Sequence, residues 1–313
     1  MGVGWLDVRV QSRRGDRVVT RPDINAFVAD ELAQAALLLE QQGANVFRAS
    51  AYRRAADTVR RHPESVDRLF AERGVEGLTA LPGVGRGIAS AIIELIRTGR
   101  FSKLERLRGQ LDPFHLFQTV PGIGPAFAQR IHDELHVDTL ESLELAAHDG
   151  RLEHMTGVGA RRAASIRASL AAILGRPQRF YRMGALEPSV ELILNIDRRY
   201  RKGAARGEWS TIAPKRFNPR GESWLPIMHA TQDGWHFTAL FSNTSRAHQL
   251  HRTRDWVVVY FYDHEHDEGQ HTVVTEFRGP LAGKRVIRGR ERECREYYDQ
   301  RYESGVRQRQ TNA

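Results

Sequence analysis

The sequence predicts a multidomain protein in which an all-α N-terminal region is followed by a small α+β domain with antiparallel hairpins. Three observations lead to this prediction. Helical apolar periodicity dominates from Pro22 to about Ile173, and a glycine-containing unit recurs three times within that region. After Gly175 the composition shifts from Ala and Leu toward aromatic and β-branched residues. A chain of 313 residues is long enough for two or three domains.

The first helices are predicted from caps, breakers and apolar spacing. Asp23 can cap a helix that Gly43 would end. A second helix is predicted from about Phe47 to Arg61, and Pro63 opens a third, short one. The buried face of the second helix is expected to contain Phe47, Ala55, Ala56 and Val59.

The repeated unit is an apolar residue, one intervening residue and Gly-apolar-Gly, followed by a helix of small and apolar residues. The copies are LPGVGRGIASAI from Leu81, VPGIGPAFAQRI from Val120 and MTGVGARRAASI from Met155. Glycines without Cβ atoms allow two helices to meet at a tight turn, so each unit predicts a helix-hairpin-helix. Main-chain amides of the hairpin and of the next helical turn then point outward, where the helix dipole favours an anion.

The hairpin glycines and nearby arginines are therefore candidate phosphate-binding residues. Such contacts hold the sugar-phosphate backbone and read no bases. The plainer interpretation is a helix-to-helix turn that needs glycine, with the arginines as solvated charges. The candidates are Gly83, Gly85, Arg86, Gly87, Gly122, Gly124, Gly157, Gly159, Arg161 and Arg162. A monovalent cation, Na⁺ or K⁺, could be held by the backbone of Leu81, Val84, Val120 and Ile123. No other cofactor is expected.

Composition narrows the classes of function. Lys and Arg number 47 against 38 Asp and Glu, a net charge of +9 that favours an anionic partner such as phosphate. Cys294 is the only cysteine, which excludes an intrachain disulfide and a cysteine-based zinc site. The sequence contains no run of about 18 apolar residues, so a membrane span is not predicted. The N-terminus lacks the apolar core of a signal peptide. We therefore expect a cytoplasmic location, in association with the nucleoid.

The residues after Gly175 predict the α+β domain. Trp224–Phe241 has the pattern of two strands joined at Asp233-Gly234, a strong hairpin signal. A second hairpin, a short helix and a terminal helix are predicted at 256–277, 245–253 and 290–302. The predicted limits are a tail at 1–20, a helical domain at 21–108, a second hairpin domain at 109–175, a linker at 176–188, the α+β domain at 189–303 and a tail at 304–313.

The helical region resembles a known family. GANVFRASAYRRAADTVRRHPESV, followed by LPGVGRGIASAIIELIRTGRFSKLERL, is similar to the N-terminal helical domain of X-family DNA polymerases. PGIGPAFAQRI and TLESLELAAHDGRLEHMTGVGARRAASI resemble the second motif and its bacterial-type continuation, so the match covers roughly residues 22–174. The resemblance implies binding to the 5′-phosphate side of gapped or nicked DNA.

The resemblance also implies a phosphate pocket. The family's basic and aromatic pocket positions fall on Arg48, Tyr52, Arg53 and Lys103. Alternatively, Tyr52 is a core aromatic residue and the arginines form a solvated helix face. Some members cleave an abasic sugar phosphate through a lysine Schiff base, but Ala91 occupies that position here. A Schiff base requires a primary amine, so this lyase chemistry is not expected.

The family's polymerase domain has no counterpart here. Its Gly-Ser-x-x-Arg-Gly turn and its Asp-x-Asp pair, which holds two Mg²⁺ ions, do not occur after Gly175, where Asp197 stands alone. Polymerase activity is therefore not expected.

Four groups in the C-terminal half could carry chemistry. A metal-like cluster, or more simply a charged turn, comprises Asp263, His264, Glu265, His266, Asp267 and His271. A triad without a nucleophile elbow is suggested by Ser245, His248, His251 and Asp255. A strand-tracking surface, or a merely solvated one, would use Lys215, Arg216, Lys284, Arg285, Arg288, Arg290 and Arg292 near Trp209, Phe217 and Trp224. Cys294 has no identifiable base and is expected to be inert.

Together these patterns favour a sequence-independent DNA-binding protein of DNA repair, which holds nicked, gapped or damaged DNA, or its ends, through backbone phosphates. The α+β domain would extend this grip or recruit a repair partner, and no catalytic residue is assigned. The alternative is a DNA-processing enzyme, a metal-dependent nuclease with its chemistry in the C-terminal domain. A third hypothesis is a scaffold that binds only proteins, for which steep salt dependence of binding would not be expected.

Overall fold

The computed structural model describes residues 23–110, 112–174, 187–263 and 268–311, with side chains as far as Tyr302. The predicted N-terminal tail, most of the predicted linker and residues 264–267 lie outside these ranges. Within them, the first half of the chain is helical and the second half is an antiparallel sheet with flanking helices. The predicted fold class is confirmed, whereas the domain limits remain predictions.

The helical half contains nine helices within the described residues. They are α1 (Ile24–Gln41), α2 (Val46–Arg61), α3 (Val66–Thr79), α4 (Arg86–Thr98), α5 (Ser102–Arg108), α6 (Pro113–Phe117), α7 (Pro125–Leu135), α8 (Leu140–His148) and α9 (Ala160–Ile173).

The first two helices begin where polar side chains can cap them. The Asp23 carboxylate accepts hydrogen bonds from the amides of Asn25 and Ala26, as predicted for the start of α1. The Asn45 side chain accepts from the amide of Phe47 at the start of α2. The expected burial of Phe47 is wrong, because this side chain is 81% exposed. The buried stripe of α2 follows Arg48, Ala49, Tyr52, Ala55, Ala56 and Val59 and turns Phe47 toward solvent.

The C-terminal half is built from six strands and three α-helices within the described residues. They are α10 (Val190–Arg206), β1 (Thr211–Ile212), β2 (Leu225–Gln232), β3 (Trp235–Phe241), α11 (Ser245–Gln249), β4 (Val257–Tyr262), β5 (Gly269–Thr275), β6 (Arg285–Ile287) and α12 (Glu291–Thr311). The last helix extends past the predicted end at Tyr302. The short strands β1 and β6 were not predicted.

The strands form one antiparallel sheet in sequence order, β1-β2-β3-β4-β5-β6. The β2–β3 hairpin closes at Gln232 and Trp235, with Asp233 and Gly234 at φ 51° and 79°. Positive φ at both central positions is the requirement of the two-residue turn that Asp-Gly favours, so this prediction is confirmed. The α10 helix packs on the sheet, where the Tyr200 hydroxyl donates to the carbonyl of Pro226 at 2.9 Å.

The first five helices share a hydrophobic core with the C-terminal half. One cluster of buried residues includes side chains of α1–α5 together with side chains of α10, of the sheet and of α12. A second cluster is formed by α6–α9 alone. The first five helices are thus packed against the C-terminal sheet, whereas the second and third hairpin units have a core of their own. No helix in the described ranges has both the length and the apolar character needed to cross a membrane.

Candidate nucleic-acid interface

The three repeated units adopt the same hairpin geometry. In each, the apolar residue between the glycines donates its amide to the carbonyl three residues earlier: Val84 to Leu81 at 3.0 Å, Ile123 to Val120 at 3.1 Å and Val158 to Met155 at 3.0 Å. The first glycine of each unit has a positive φ, at 78° for Gly83, 89° for Gly122 and 78° for Gly157. Residues with a Cβ rarely adopt this conformation, which explains why each copy of the motif has glycine there.

The second glycine of each unit caps the helix that follows. Gly85, Gly124 and Gly159 are the N-cap residues of α4, α7 and α9, and none of the three helices has a side-chain capping bond. A Cβ built on any of these glycines meets no atom within 4 Å, so open space lies beside them. The first amides of an α-helix have no partner within the helix. Three helix N-termini therefore face solvent without a capping side chain, as an anion requires.

Buried apolar side chains hold the hairpins in place. Leu81, Val84, Val120, Ile123 and Val158 are all buried, while the glycines around them are mostly exposed. The alternation of the motif thus anchors each loop in the core and leaves its main chain at the surface. This arrangement rigidifies the amides before any ligand binds, which lowers the entropic cost of binding.

The predicted hairpin arginines have different surroundings. Arg86 and Arg161 are exposed in the first turns of α4 and α9. Arg162 donates to the carbonyl of Gly122 at 3.2 Å, and its guanidinium lies 4.0 Å from the centre of the Phe127 ring. Arg162 therefore links the third unit to the second. A further basic residue near the hairpins, Arg130 in the helix after the second unit, forms an ion pair with Glu134 at 2.8 Å along α7.

Three of the four predicted pocket residues are buried against the sheet. Arg48 is 5% exposed, and both terminal nitrogens of its guanidinium lie 3.2 Å from the hydroxyl of Thr238 in β3. Its guanidinium also lies 5.0 Å from the centre of the Tyr262 ring. The Lys103 ammonium donates to the hydroxyl of Tyr52 at 3.1 Å and lies 4.0 Å from the same Tyr262 ring. These side chains contact protein where the prediction placed phosphate.

A carboxylate from the sheet lies among these cations. Glu268, immediately before β5, forms ion pairs with Lys103 at 3.1 Å and with Arg106. Burial alone would raise the pKa of Glu268, but the positive charges of Arg106 and Lys103 lower it to about 2. Burial likewise opposes the charge of Lys103, but Glu268 raises the lysine's pKa above its usual range. We call Arg48, Tyr52, Lys103, Arg106 and Glu268 the buried cation cluster.

The remaining pocket residue lies apart from the buried cation cluster. Arg53 is exposed on α2 and forms an ion pair with Glu40 of α1. The structure therefore brings together Arg48, Tyr52 and Lys103 but not Arg53. Phosphate binding by these four residues stays a prediction, and for the three buried ones it would require the sheet to move away.

The position predicted for the absent lyase lysine is buried. Ala91 of α4 lines a cavity of about 30 Å³ together with Glu94, Lys103 and Glu268. Glu94 accepts a hydrogen bond from the amide of Ser102 at 3.0 Å, and burial raises its pKa to about 8. Lys103 is the amine of this cavity, and its ion pair with Glu268 favours the protonated form, which is not a nucleophile.

Among the residues that the structure describes, the candidate catalytic groups of the C-terminal half are not assembled. The Ser245 hydroxyl accepts from Arg216 at 3.0 Å, His248 is hydrogen-bonded to Asn243 at 2.6 Å, and Asp255 accepts from Arg285 at 2.7 Å. Ser245, His248 and Asp255 thus have separate partners. Of the suggested metal cluster, residues 264–267 lie outside the described part, and His271 contacts Glu187 at 2.9 Å. Among the described residues no group of three His, Cys, Asp or Glu side chains is placed to hold a metal.

Several of the other residues predicted in this half have partners within the protein. Cys294 is fully buried, where the amide of Ile287 donates to its sulfur at 3.4 Å, and burial raises the pKa of its thiol. Arg288 and Arg290 form ion pairs with Glu276 and Glu293. Much of the predicted basic surface is therefore neutralised by neighbouring carboxylates.

Two members of the buried cation cluster, Arg106 and Glu268, were not predicted from the sequence. Arg106 and Glu268 had no motif to mark them, although Lys103 and Arg106 are spaced three apart and share a face of α5. Glu268 follows a run of charged residues in the sequence. Its partner Arg106 lies 162 residues earlier in the chain, so no local pattern links the two.

The helical half is similar in sequence to known protein families. A helix-hairpin-helix domain family matches residues 23–101, and a SAM-like helix-hairpin-helix tandem family matches residues 114–172. The chain is 30% identical over 146 residues to the DNA polymerase/3′-5′ exonuclease PolX of Bacillus subtilis, an alignment that covers 46% of this chain and 25% of that protein. The helical half is homologous to X-family DNA polymerases.

This X-family region, residues 23–174, has a second relative among eukaryotic enzymes. The chain is 27% identical over 140 residues to DNA polymerase lambda of Arabidopsis thaliana, which covers 44% of this chain and 24% of that protein. The chain thus spans about a quarter of the length of the curated relatives it matches. The matches confirm the family resemblance of the helical half.

Proposed function

We propose that the protein binds DNA through its sugar-phosphate backbone, without sequence preference, and acts in DNA repair on nicked, gapped or damaged DNA or on DNA ends. The observation that carries this proposal is the set of three hairpins with uncapped, solvent-facing helix N-termini. Each offers main-chain amides and the positive end of a helix dipole to one phosphate. Because these donors contact no base edges, binding would be sequence-independent.

Two further observations support the proposal. The X-family region matches helix-hairpin-helix families over both of its parts, and its relatives are DNA polymerases by name. The chain carries a net charge of +9, which strengthens attraction to a polyanion. DNA binding would place the protein at the nucleoid. The α+β half would extend the contact with DNA or recruit a repair partner.

We also propose that a monovalent cation, Na⁺ or K⁺, assists at the first two hairpins. The carbonyls of Leu81 and Val120 each accept one hydrogen bond within the turn and keep a second lone pair, so they can still serve as ligands. Together with the carbonyls of Val84 and Ile123 they would hold the ion, whose charge would add to the attraction for phosphate.

We further propose that this chain catalyses neither nucleotidyl transfer nor Schiff-base lyase chemistry. Its sequence after Gly175 contains no Asp-x-Asp pair for two metal ions. Ala91 stands at the lysine position, and the nearby Lys103 is held in an ion pair with Glu268. Incubation with an abasic-site duplex and borohydride should trap no covalent adduct, and a trapped adduct would contradict this part of the proposal.

The test of DNA binding places a carboxylate at the hairpin amides. In Ala160→Glu the new side chain lies in the first turn of α9, where it repels phosphate while favouring the helix. Gly87→Glu and Ala126→Glu do the same in α4 and α7, and a Cβ on Gly87 meets no atom within 4 Å. Each variant should weaken binding to a nicked duplex roughly tenfold, since one phosphate contact is lost.

The matched control is Ala168→Glu, which adds the same charge to an exposed position two turns further along α9. Affinities are measured by fluorescence anisotropy at several salt concentrations with nicked, gapped, 5′-phosphorylated and intact duplexes. The hairpin variants should also show a shallower dependence of affinity on salt. Equal affinities for Ala160→Glu and Ala168→Glu would overturn the proposal that the hairpins contact DNA.

A further inference from the structure

A cleft lies on the C-terminal half, away from the hairpin glycines in sequence. It has a volume of about 400 Å³ and is bordered by α10, the start of β6 and α12. Its basic residues include Arg198 and Arg201 from α10, Lys284 and Arg285 near β6, and Arg301 from α12. Cavities of roughly 300–1,000 Å³ are typical of ligand sites in proteins.

The floor of the cleft is electrically neutral. Arg285 donates to Asp197 at 2.6 Å and to Asp255 at 2.7 Å, and Asp197 is 1% exposed. Arg201 is the second partner of Asp197, at 3.2 Å. Two guanidinium groups and two carboxylates therefore balance one another, and this network holds α10 against the sheet.

The rim of the cleft carries unbalanced positive charge. Arg198 and Lys284 are exposed and form no ion pair with the acidic side chains that the structure describes, which extend as far as Tyr302. Arg301 lies 3.5 Å from Glu191, and both side chains are well exposed, so this pair contributes little. An anion in the cleft would meet these rim cations without displacing the buried carboxylates.

Tyrosine side chains from α12 form one wall. Tyr302 is 76% exposed, which is unusual for so large a ring, and Tyr297 and Tyr298 are half-buried beside it. Rings of this kind stack on nucleobases. The bases of an intact duplex are already stacked on one another, so only an unpaired base can reach an exposed tyrosine.

We infer that this cleft binds single-stranded DNA, with phosphates on Arg198, Lys284 and Arg301 and a base on Tyr302. The inference rests on the proposed function in one respect, the identification of the bound polyanion as DNA. Charge plus an exposed ring is the combination by which proteins follow single strands without reading sequence. The protein would thus hold a duplex at its hairpins and an unpaired strand at the cleft, the two elements of a gapped substrate.

The test compares two double variants of the full chain. Arg198→Glu with Lys284→Glu reverses two rim charges, and Arg199→Glu with Lys202→Glu reverses one arginine and one lysine at exposed α10 positions outside the cleft. Probes are a 12-residue oligothymidylate, an abasic oligomer of the same length, and a blunt duplex. The rim variant should bind oligothymidylate at least roughly tenfold more weakly than the control variant, with little difference between them on the duplex.

The ring is tested separately. Tyr302→Ala should weaken binding of oligothymidylate at least about fivefold and leave the abasic oligomer unaffected, because the abasic strand has no base to stack. Equal effects of the rim and control variants would overturn the cleft as the site. Equal effects of Tyr302→Ala on both oligomers would overturn base stacking.

The duplex probe separates this inference from the proposed function. If Ala160→Glu fails to weaken duplex binding while the rim variant weakens oligothymidylate binding, the hairpin proposal fails and the cleft stands. The opposite pattern removes the cleft and leaves the hairpins. If the cleft binds an acidic protein and not DNA, the wild-type protein should show no measurable binding of any oligomer. That result would overturn the inference.

Discussion

The hairpin surfaces and the positively charged residues of the buried cation cluster lie in the same X-family region. The sequence predicted phosphate contacts at the hairpins and at three members of the cluster, Arg48, Tyr52 and Lys103. At the hairpins, main-chain amides face solvent with no capping side chain. In the cluster, Arg48, Tyr52 and Lys103 are buried, and a carboxylate from the sheet lies where an anion would bind. One surface is open to a ligand, whereas the charged side chains of the other already contact groups of the protein.

The difference shows that a second domain can occupy a predicted binding site with its own side chains. The amides of the hairpins are fixed by local backbone geometry, so no distant residue is needed to form or close them. The side chains of the cluster can pair with any anion that reaches them, and Glu268 is supplied by the C-terminal half. The cluster therefore acts as an attachment point between the two halves of the chain.

The largest expected effect is on stability, from Glu268→Ala. The variant leaves Lys103 and Arg106 buried without their counter-charge, which should lower the free energy of unfolding by about 3–5 kcal/mol. Urea unfolding followed by tryptophan fluorescence measures the change. A loss below about 1 kcal/mol, the value for an exposed pair, would show that the cluster is not a buried attachment point.

The next effect concerns Glu94, which lies on α4 between the first hairpin and the cluster. Its pKa of about 8 in the folded protein is above the ordinary value of 4.5, because burial disfavours the charged form. The stability that this shift contributes is complete below about pH 4.5 and is lost as the pH rises toward 8.

Glu94→Gln keeps the oxygen that accepts from Ser102 and does not titrate. Relative to wild type, the variant should therefore gain stability as the pH rises from 5 to 8, by up to about 1.4 kcal/mol per pH unit. Unfolding in urea at several pH values measures the difference. Parallel curves for the two proteins would show that Glu94 titrates as an ordinary carboxylate.

The comparison is sharpened by one pair of variants. Arg86→Glu should weaken DNA binding roughly tenfold for all sequences alike and leave stability unchanged, because Arg86 is exposed beside the first hairpin. Lys103→Met should lower stability and leave DNA affinity unchanged, because the lysine is satisfied by Glu268. Arg220→Glu, at an exposed position of the C-terminal half, is the charge control for Arg86→Glu. Weaker DNA binding by a folded Lys103→Met protein would mean that the cluster opens to phosphate.

The smallest effect is expected at Arg53, the exposed residue of the predicted pocket. Glu40→Ala removes its partner at a cost of at most about 1 kcal/mol in stability. If Arg53 contacts a phosphate, DNA affinity should rise by up to roughly twofold, since a competing carboxylate is gone. Asp30→Ala removes the partner of Arg60 in a similar exposed pair and serves as the control. An equal rise in both variants would indicate only a general charge effect.

The features that sequence predicted correctly depend on local chemistry. Asp23, the hairpin glycines and the Asp233-Gly234 turn determine backbone conformation within a few residues, and each is found as predicted. The burial of Phe47 was predicted wrongly because Arg48, the next residue on α2, takes the inward position. The partner that holds Arg48 there, Thr238 of β3, lies 190 residues later in the chain. The role of Glu268 could not be predicted, since nothing near it in the chain indicates which helices the sheet will cover.

The separation of the cluster's members along the chain has a consequence for how the protein is made. Arg106 precedes Glu268 by 162 residues, and Arg48 precedes Thr238 by 190. At roughly 5–20 residues per second, translation needs on the order of ten seconds or more to supply these partners. During that interval the newly made helices hold a set of cations ready for any polyanion nearby, and only the arrival of the sheet ends that exposure.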